Sequence, residues 1–167
     1  PVIGVTNTSV FQGERRLCRL RIDGLFYGLA GWEGHDVPEE YEEKEYSSKI
    51  LRKWFLRFDE LKPSAKGYLR ILKELKVPPK VVYIVGDSLE RDVVPALQIG
   101  ANAIWAKYGQ EVEPKNFQTL CLITYRDQEK NSNMYEKAPT IPTVTINNFG
   151  ELQQIIKLPP GFLPGFN

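Results

Sequence analysis

A three-layer α/β fold, with a doubly wound and mostly parallel sheet, is what this sequence predicts, on three observations. The first is an unbroken apolar run, Val81 to Val85, of the kind found in strands buried on both faces of a parallel sheet. The second is its ending: Gly86, then Asp87, Ser88 and Asp92, before an apolar-periodic helix that begins near Leu89. Glycine lets the backbone turn tightly there, at the sheet edge where open α/β proteins bind ligands. The third is the order strand, helix, strand, helix, strand along the chain, the pattern of a parallel sheet with helices on both faces. Two carboxylates five residues apart on such a turn suit a hard cation such as Mg2+, with phosphate oxygens completing its shell. The plainer alternative is that Asp87 caps the helix and Asp92 is a solvated charge.

Composition sets the bounds. A chain of 167 residues is long enough for one domain with a proper core, and 42% hydrophobic with 26% charged residues is ordinary for a soluble globular protein. The net charge of +1 gives no electrostatic attraction to nucleic acid or to an anionic membrane. No apolar run approaches the ~20 residues of a membrane span. Cys18 and Cys121 lack metal-ligand spacing and are too few for a disulfide framework, so a reducing, cytoplasmic setting is expected. The opening PVIGV has neither an initiator Met nor the charged region of a signal peptide, and the expectation is a portion of a longer protein.

In chain order, Val2 to Val5 reads as a buried strand ending in the hydroxyl-rich loop Thr6 to Ser9, followed by a helix over Phe11 to Arg21. Leu25 to Leu29, among glycines, reads as a second short strand. From Pro38 the charges run from acidic (Glu39, Glu40, Glu42, Glu43) to basic (Lys49, Arg52, Lys53), an order that suits a helix dipole. A helical insertion over 36–60 follows, with Tyr46, Trp54, Phe55 and Phe58 as packing aromatics. Lys62-Pro63 interrupts it, and a helix with Leu69, Ile71, Leu72 and Leu75 on its apolar face runs from about Ser64 to Lys76. After the acidic turn the helix continues to Gly100, a good C-terminal stop, and ANAIWA at Ala101 to Ala106 is the next strand. Residues 111–140 read as an irregular, mobile insertion, Thr143 to Ile146 as a last strand, Phe149 to Leu158 as a last helix, and the Pro/Gly-rich tail as extended. The whole reads as one core domain, 1–167.

Thr6, Lys62, Asp87 and Asp92 together describe a phosphate site: a hydroxyl and a backbone N–H for phosphoryl oxygens, a lysine for developing charge, carboxylates for a bridging metal. In this order and spacing they resemble the haloacid dehalogenase (HAD) superfamily of hydrolases, mostly Mg2+-dependent phosphatases. VTN at Val5 to Asn7 is similar to the family's second motif, KPSAKGYLRIL with Lys62 and Tyr68 to its third, and GDSLERD from Gly86 to Asp92 to its fourth; Lys62 stands 24 residues before Gly86, as family spacing would have it. The resemblance runs from about Val2 to Lys107, resumes weakly over Thr143 to Lys157, and implies a HAD-like Rossmannoid core. It also implies Thr6 and Lys62 as catalytic groups, Thr6, Asn7 and Lys62 as substrate-binding groups, with Asn7 supplying a backbone amide, and Asp87 and Asp92 as Mg2+ ligands. The four side chains are expected to converge on one cleft.

One departure matters more than the matches. The family's first motif, a strand ending in Asp-x-Asp that carries the nucleophile, has no counterpart; near Asp23-Gly24, Arg21 stands where the attacking carboxylate would be. The expectation is an incomplete fold lacking its central strand and inactive by itself. The strands ending at Thr6 and Gly86 would then close on each other or leave a slot for another segment. The leading function is a phosphohydrolase acting on a small phosphorylated metabolite, with no nucleic-acid or membrane partner and an unknown oligomeric state. The alternative is a HAD-like regulatory or scaffolding module without catalysis. A response-regulator receiver domain fits less well, because its acids precede its Thr. His35, the one histidine, sits in a loop and either touches substrate or titrates in solvent.

Overall fold

The computed structural model describes residues 1–34, 47–110 and 141–156. His35, Tyr46, the start of the 36–60 segment, the 111–140 insertion and the tail lie outside the described residues. The chain divides into two compact units, 1–79 and 80–167.

The first unit is a parallel sheet in the order β1 (Ile3–Ser9), β2 (Gly28–Trp32), β3 (Arg52–Leu56), with α1 (Val10–Arg19) and α2 (Lys66–Leu75). Side chains alternate across β2, so its two faces bury different partners. Leu29 packs with Val10 and Leu17 of α1, and Ala30 packs with Trp54, Leu56 and Ile71 of α2. The sheet is therefore covered on both faces. Ser9 closes β1 and starts α1, its hydroxyl accepting the Gln12 N–H at 3.3 Å, as an N-cap does. α2 ends at Lys76, whose φ of 55° is left-handed and stops the helix ahead of the prolines.

Three expectations change here. Thr6 to Ser9 is not a loop: β1 runs through it, with an irregularity of pairing between Val5 and Ser9. The second strand lies three residues later than Leu25 to Leu29, after a 3-10 turn at Asp23–Leu25. The segment read as the end of a helix up to residue 60 is β3 and then a 3-10 turn, Phe58–Glu60. Within RKWFL the period is two: Trp54 and Leu56 are buried while Lys53 and Phe55 are exposed. The acidic-to-basic drift mimicked a helix dipole, but partnering with β2 decides the backbone. Of the aromatics assigned to packing, Trp54 fulfils the role, whereas Phe55 and Phe58 are exposed.

The second unit is a parallel sheet in the order β4 (Tyr83–Gly86), β5 (Asn102–Ala106), β6 (Val144–Ile146). A wide π-type turn, Leu89–Val93, leads into α3 (Val94–Gln98), which ends at Gly100 with φ 76°. The last helix, α4 (Leu152–Ile155), follows a 3-10 turn at Phe149–Glu151 and is shorter than its apolar spacing suggested. Both faces of this sheet are covered too, Ala103 packing with Val93 and Ala96, and Ile104 with Ile146 and Leu152. It is β5 that is buried on both faces, not β4: Tyr83 and Val85 are 42% and 38% exposed. The reason is position. Among the described residues β4 is an edge strand, and the cluster around Leu152 covers β5 and β6 but does not include it.

Each unit is thus a three-layer α/β/α sandwich with a parallel sheet. Among the described residues β1 pairs only with β2 and β4 only with β5.

Candidate functional site

In the first unit the polar groups gather around the irregular part of β1. Thr6 lies inside the strand rather than beyond it; its Oγ1 accepts the Thr8 N–H at 3.1 Å and shares a hydrogen bond with Thr8 Oγ1 at 3.0 Å. Next along, the Asn7 carboxamide spans 55 residues to the backbone of Lys62. Its Nδ2 donates to the Lys62 carbonyl at 2.7 Å, and the Lys62 N–H donates to its Oδ1 at 2.9 Å. Two of the motifs read from the sequence are therefore joined, through a side chain assigned only a backbone role.

The turn that delivers Lys62 is anchored by Glu60, a carboxylate only 6% exposed. Glu60 Oε2 accepts the Arg57 N–H at 2.9 Å and Arg70 Nη1 from α2, also at 2.9 Å. The Arg57 N–H first, then the Arg70 guanidinium, hold its carboxyl below the ordinary glutamate range against the opposing pull of burial. Arg70 Nη1 also donates to the Phe55 carbonyl at 3.1 Å, tying the end of β3 into the same network. The Lys62–Pro63 peptide is cis.

In the second unit the acidic turn follows β4 as expected, and most of its bonds are local. Asp92 is 6% exposed, and its Oδ2 accepts the Ser88 N–H at 3.1 Å. The Ser88 hydroxyl accepts the Arg91 N–H at 3.1 Å, so it is Ser88, one residue after Asp87, that caps the following turn. Asp92 is accordingly buried rather than solvated. A Cβ at Gly86 would overlap the Asp92 carboxyl, so only glycine lets strand and acid approach this closely. One bond comes from afar: Trp105 Nε1, on β5, donates to the Asp87 carbonyl at 2.9 Å. Gly109 approaches from beyond β5, where a Cβ would stand 2.7 Å from Asp87 Cβ. Lys107 lies over the Trp105 ring, 6.0 Å from its centroid.

Trp105, Gly109, Thr8, Glu60 and Arg70 were not singled out by sequence reasoning. A tryptophan in a strand reads as core, and no local period says that its N–H will find a particular carbonyl. The donor set of the acidic turn is all oxygen, which fits a hard cation such as Mg2+. Among the described residues no three or more His, Cys, Asp or Glu are grouped to hold a metal, so Asp87 and Asp92 would share an ion with water or phosphate oxygens. No helix of the described residues is long and apolar enough to cross a membrane.

Parallel strands covered by helices, with polar groups in and just beyond them, define an α/β protein. Residues 61–119, which hold Lys62, Asp87 and Asp92, match the model of the HAD-hydrolase-like family. Over 52 residues the chain is 36% identical to a glyceraldehyde 3-phosphate phosphatase from Pyrococcus furiosus, a match that covers 31% of this chain and 22% of that protein. Among solved structures, a 2-haloacid dehalogenase from Pseudomonas syringae pv. Tomato aligns over 77% of this chain and 44% of its own, at 18% identity and a TM-score of 0.44. A HAD phosphatase from Thermococcus onnurineus aligns over 64% of this chain and 39% of its own, at 21% identity and a TM-score of 0.41. The chain thus spans well under two thirds of each of these proteins.

Proposed function

We propose that the intact protein is a Mg2+-dependent HAD-type phosphohydrolase of the cytoplasm, acting on a small phosphorylated metabolite. The observation that carries this reading is that Lys62, Asp87 and Asp92 fall in the family-matched stretch while Asn7 ties the Thr6 segment directly to Lys62. In this reading the Thr6 hydroxyl and neighbouring backbone N–H hold phosphoryl oxygens, and Lys62 balances the charge that develops on them. Asp87 and Asp92 hold Mg2+, which when bound neutralises phosphoryl charge and orients the ester. The nucleophile is an aspartate of the Asp-x-Asp type that forms an aspartyl-phosphate; no Asp-x-Asp occurs in these 167 residues, so it is supplied from outside them.

The second reading is a HAD-like regulatory or scaffolding module without catalysis. Hydrolysis of p-nitrophenyl phosphate with Mg2+ separates the two. The intact protein is expected to turn over at enzymatic rates and to lose activity on Asp87→Asn, whereas the 167-residue chain alone is expected to be inactive. No turnover by the intact protein would leave the non-catalytic module; turnover by the 167 residues alone, lost on Asp87→Asn, would mean a nucleophile lies within them.

A further inference from the structure

We infer that Asn7 is a positioning residue for Lys62, acting through its side chain and not as a ligand of the substrate; this rests on the reading of Lys62 as the phosphate-binding lysine. A carboxamide carries a donor and an acceptor side by side in one plane, and here both are used on one residue: Nδ2 on the Lys62 carbonyl and Oδ1 on the Lys62 N–H. No other short side chain matches both groups. Aspartate lacks the donor, and serine or threonine offers a single oxygen. The pairing falls in the stretch where the register of β1 against β2 shifts, between Val5 and Ser9. β1 gives Thr6 its place, and Asn7 carries that place across 55 residues to the lysine backbone. A lysine side chain turns about four bonds, so its ammonium is no better placed than the backbone it hangs from. The Glu60 network holds the preceding turn through Arg57 and Arg70.

Misplacement of a catalytic group by about 1 Å can lower a rate by roughly 10²-fold. Loss of the clamp is therefore expected to reduce kcat by about that factor and to move KM little. The test is a double-mutant cycle on the intact protein with p-nitrophenyl phosphate and Mg2+, using Lys62→Met, Asn7→Ala and the pair. If Asn7 acts only through Lys62, the double variant is no slower than Lys62→Met alone. Losses that multiply would show that Asn7 contacts substrate itself and would overturn the inference, leaving the phosphatase reading intact. A wild-type rate for Lys62→Met would remove that reading, and the inference with it. Asn7→Asp, which keeps the acceptor and loses the donor, is the second variant and must show the same lack of additivity. Amide hydrogen exchange supplies a readout apart from activity. The Lys62 N–H is expected to exchange faster in Asn7→Ala while Ile71 in α2 keeps its protection; an unchanged Lys62 amide would also overturn the inference.

Discussion

The turn at Lys62 and the turn at Asp87 both lie just beyond a parallel strand, but they are held over different ranges. Lys62 is fixed by Asn7, 55 residues earlier, and the turn before it by a buried carboxylate that draws in Arg70 from α2. In the acidic turn, Ser88 and Asp92 bond across four residues and Ser88 to Arg91 across three, while Trp105 reaches it from β5. The first arrangement exists only once β1, β3 and α2 have come together, whereas the second can be largely written by a few adjacent residues. Long-range ties should therefore respond to loss of tertiary packing before local ones do.

Substitutions that separate chemistry from support can break or sharpen this contrast. The largest effect is expected for Asp87→Asn in the intact protein. Removing a charged oxygen ligand should lower Mg2+ affinity and activity together, by at least the roughly hundredfold that loss of even an outer partner can cost. Asp92→Asn should do less to metal affinity if that carboxylate mainly shapes the turn. Calorimetry decides, and equal Mg2+ affinity in wild type and Asp87→Asn would end the metal role.

Glu60→Ala should come next, destabilising the first unit by about 1 to 3 kcal/mol in urea unfolding, because the Arg57 N–H and part of the Arg70 guanidinium lose their acceptor. The pH dependence has a definite sign. The Glu60 carboxyl sits below its ordinary range in the folded protein, chiefly through the Arg57 N–H. Its contribution is fully present above the unfolded glutamate value and is lost as pH falls through the lower folded one. The gap in stability between wild type and Glu60→Gln should therefore narrow in that acidic window and stay constant above it; a gap constant throughout would contradict the linkage.

Trp105→Phe keeps an aromatic ring in β5 and removes the N–H that reaches the Asp87 carbonyl. About tenfold weaker Mg2+ binding is expected, the lower end for an outer partner. A loss as large as that of Asp87→Asn would mean that the acidic turn is held from afar after all, and the contrast between the two turns would fail. The smallest effect belongs to Arg52→Gln. Arg52 lies 3.9 Å from Glu74 with both side chains exposed, and it stacks 5.2 Å from the Trp54 ring centroid. Less than about 1 kcal/mol should be lost in thermal unfolding, and added salt should erase much of it.

Adjacent residues determined much of this protein. The extent of α2, the stop at Gly100, the strand ANAIWA and the glycine-acid turn after β4 all lie where period and punctuation place them, because element type there follows from a few neighbours; of the expected α2 apolar face Ile71 and Leu72 are buried, whereas Leu69 is exposed. The proposed chemistry rests on the same kind of local signal, since Gly86, Asp87, Ser88 and Asp92 lie within seven residues of sequence. Other features were settled only by the tertiary structure. RKWFL is a strand because β2 lies beside it, overriding a charge gradient that reads as helix. β5 rather than β4 is buried on both faces because it lies between two strands. Asn7 on Lys62, Trp105 on Asp87 and Arg70 on Glu60 are pairs 55, 18 and 10 residues apart, and nothing local selects either partner. A hydrogen bond over such distances is chosen by which elements pack together, and hydrophobic burial, being non-directional, leaves that choice to the whole fold.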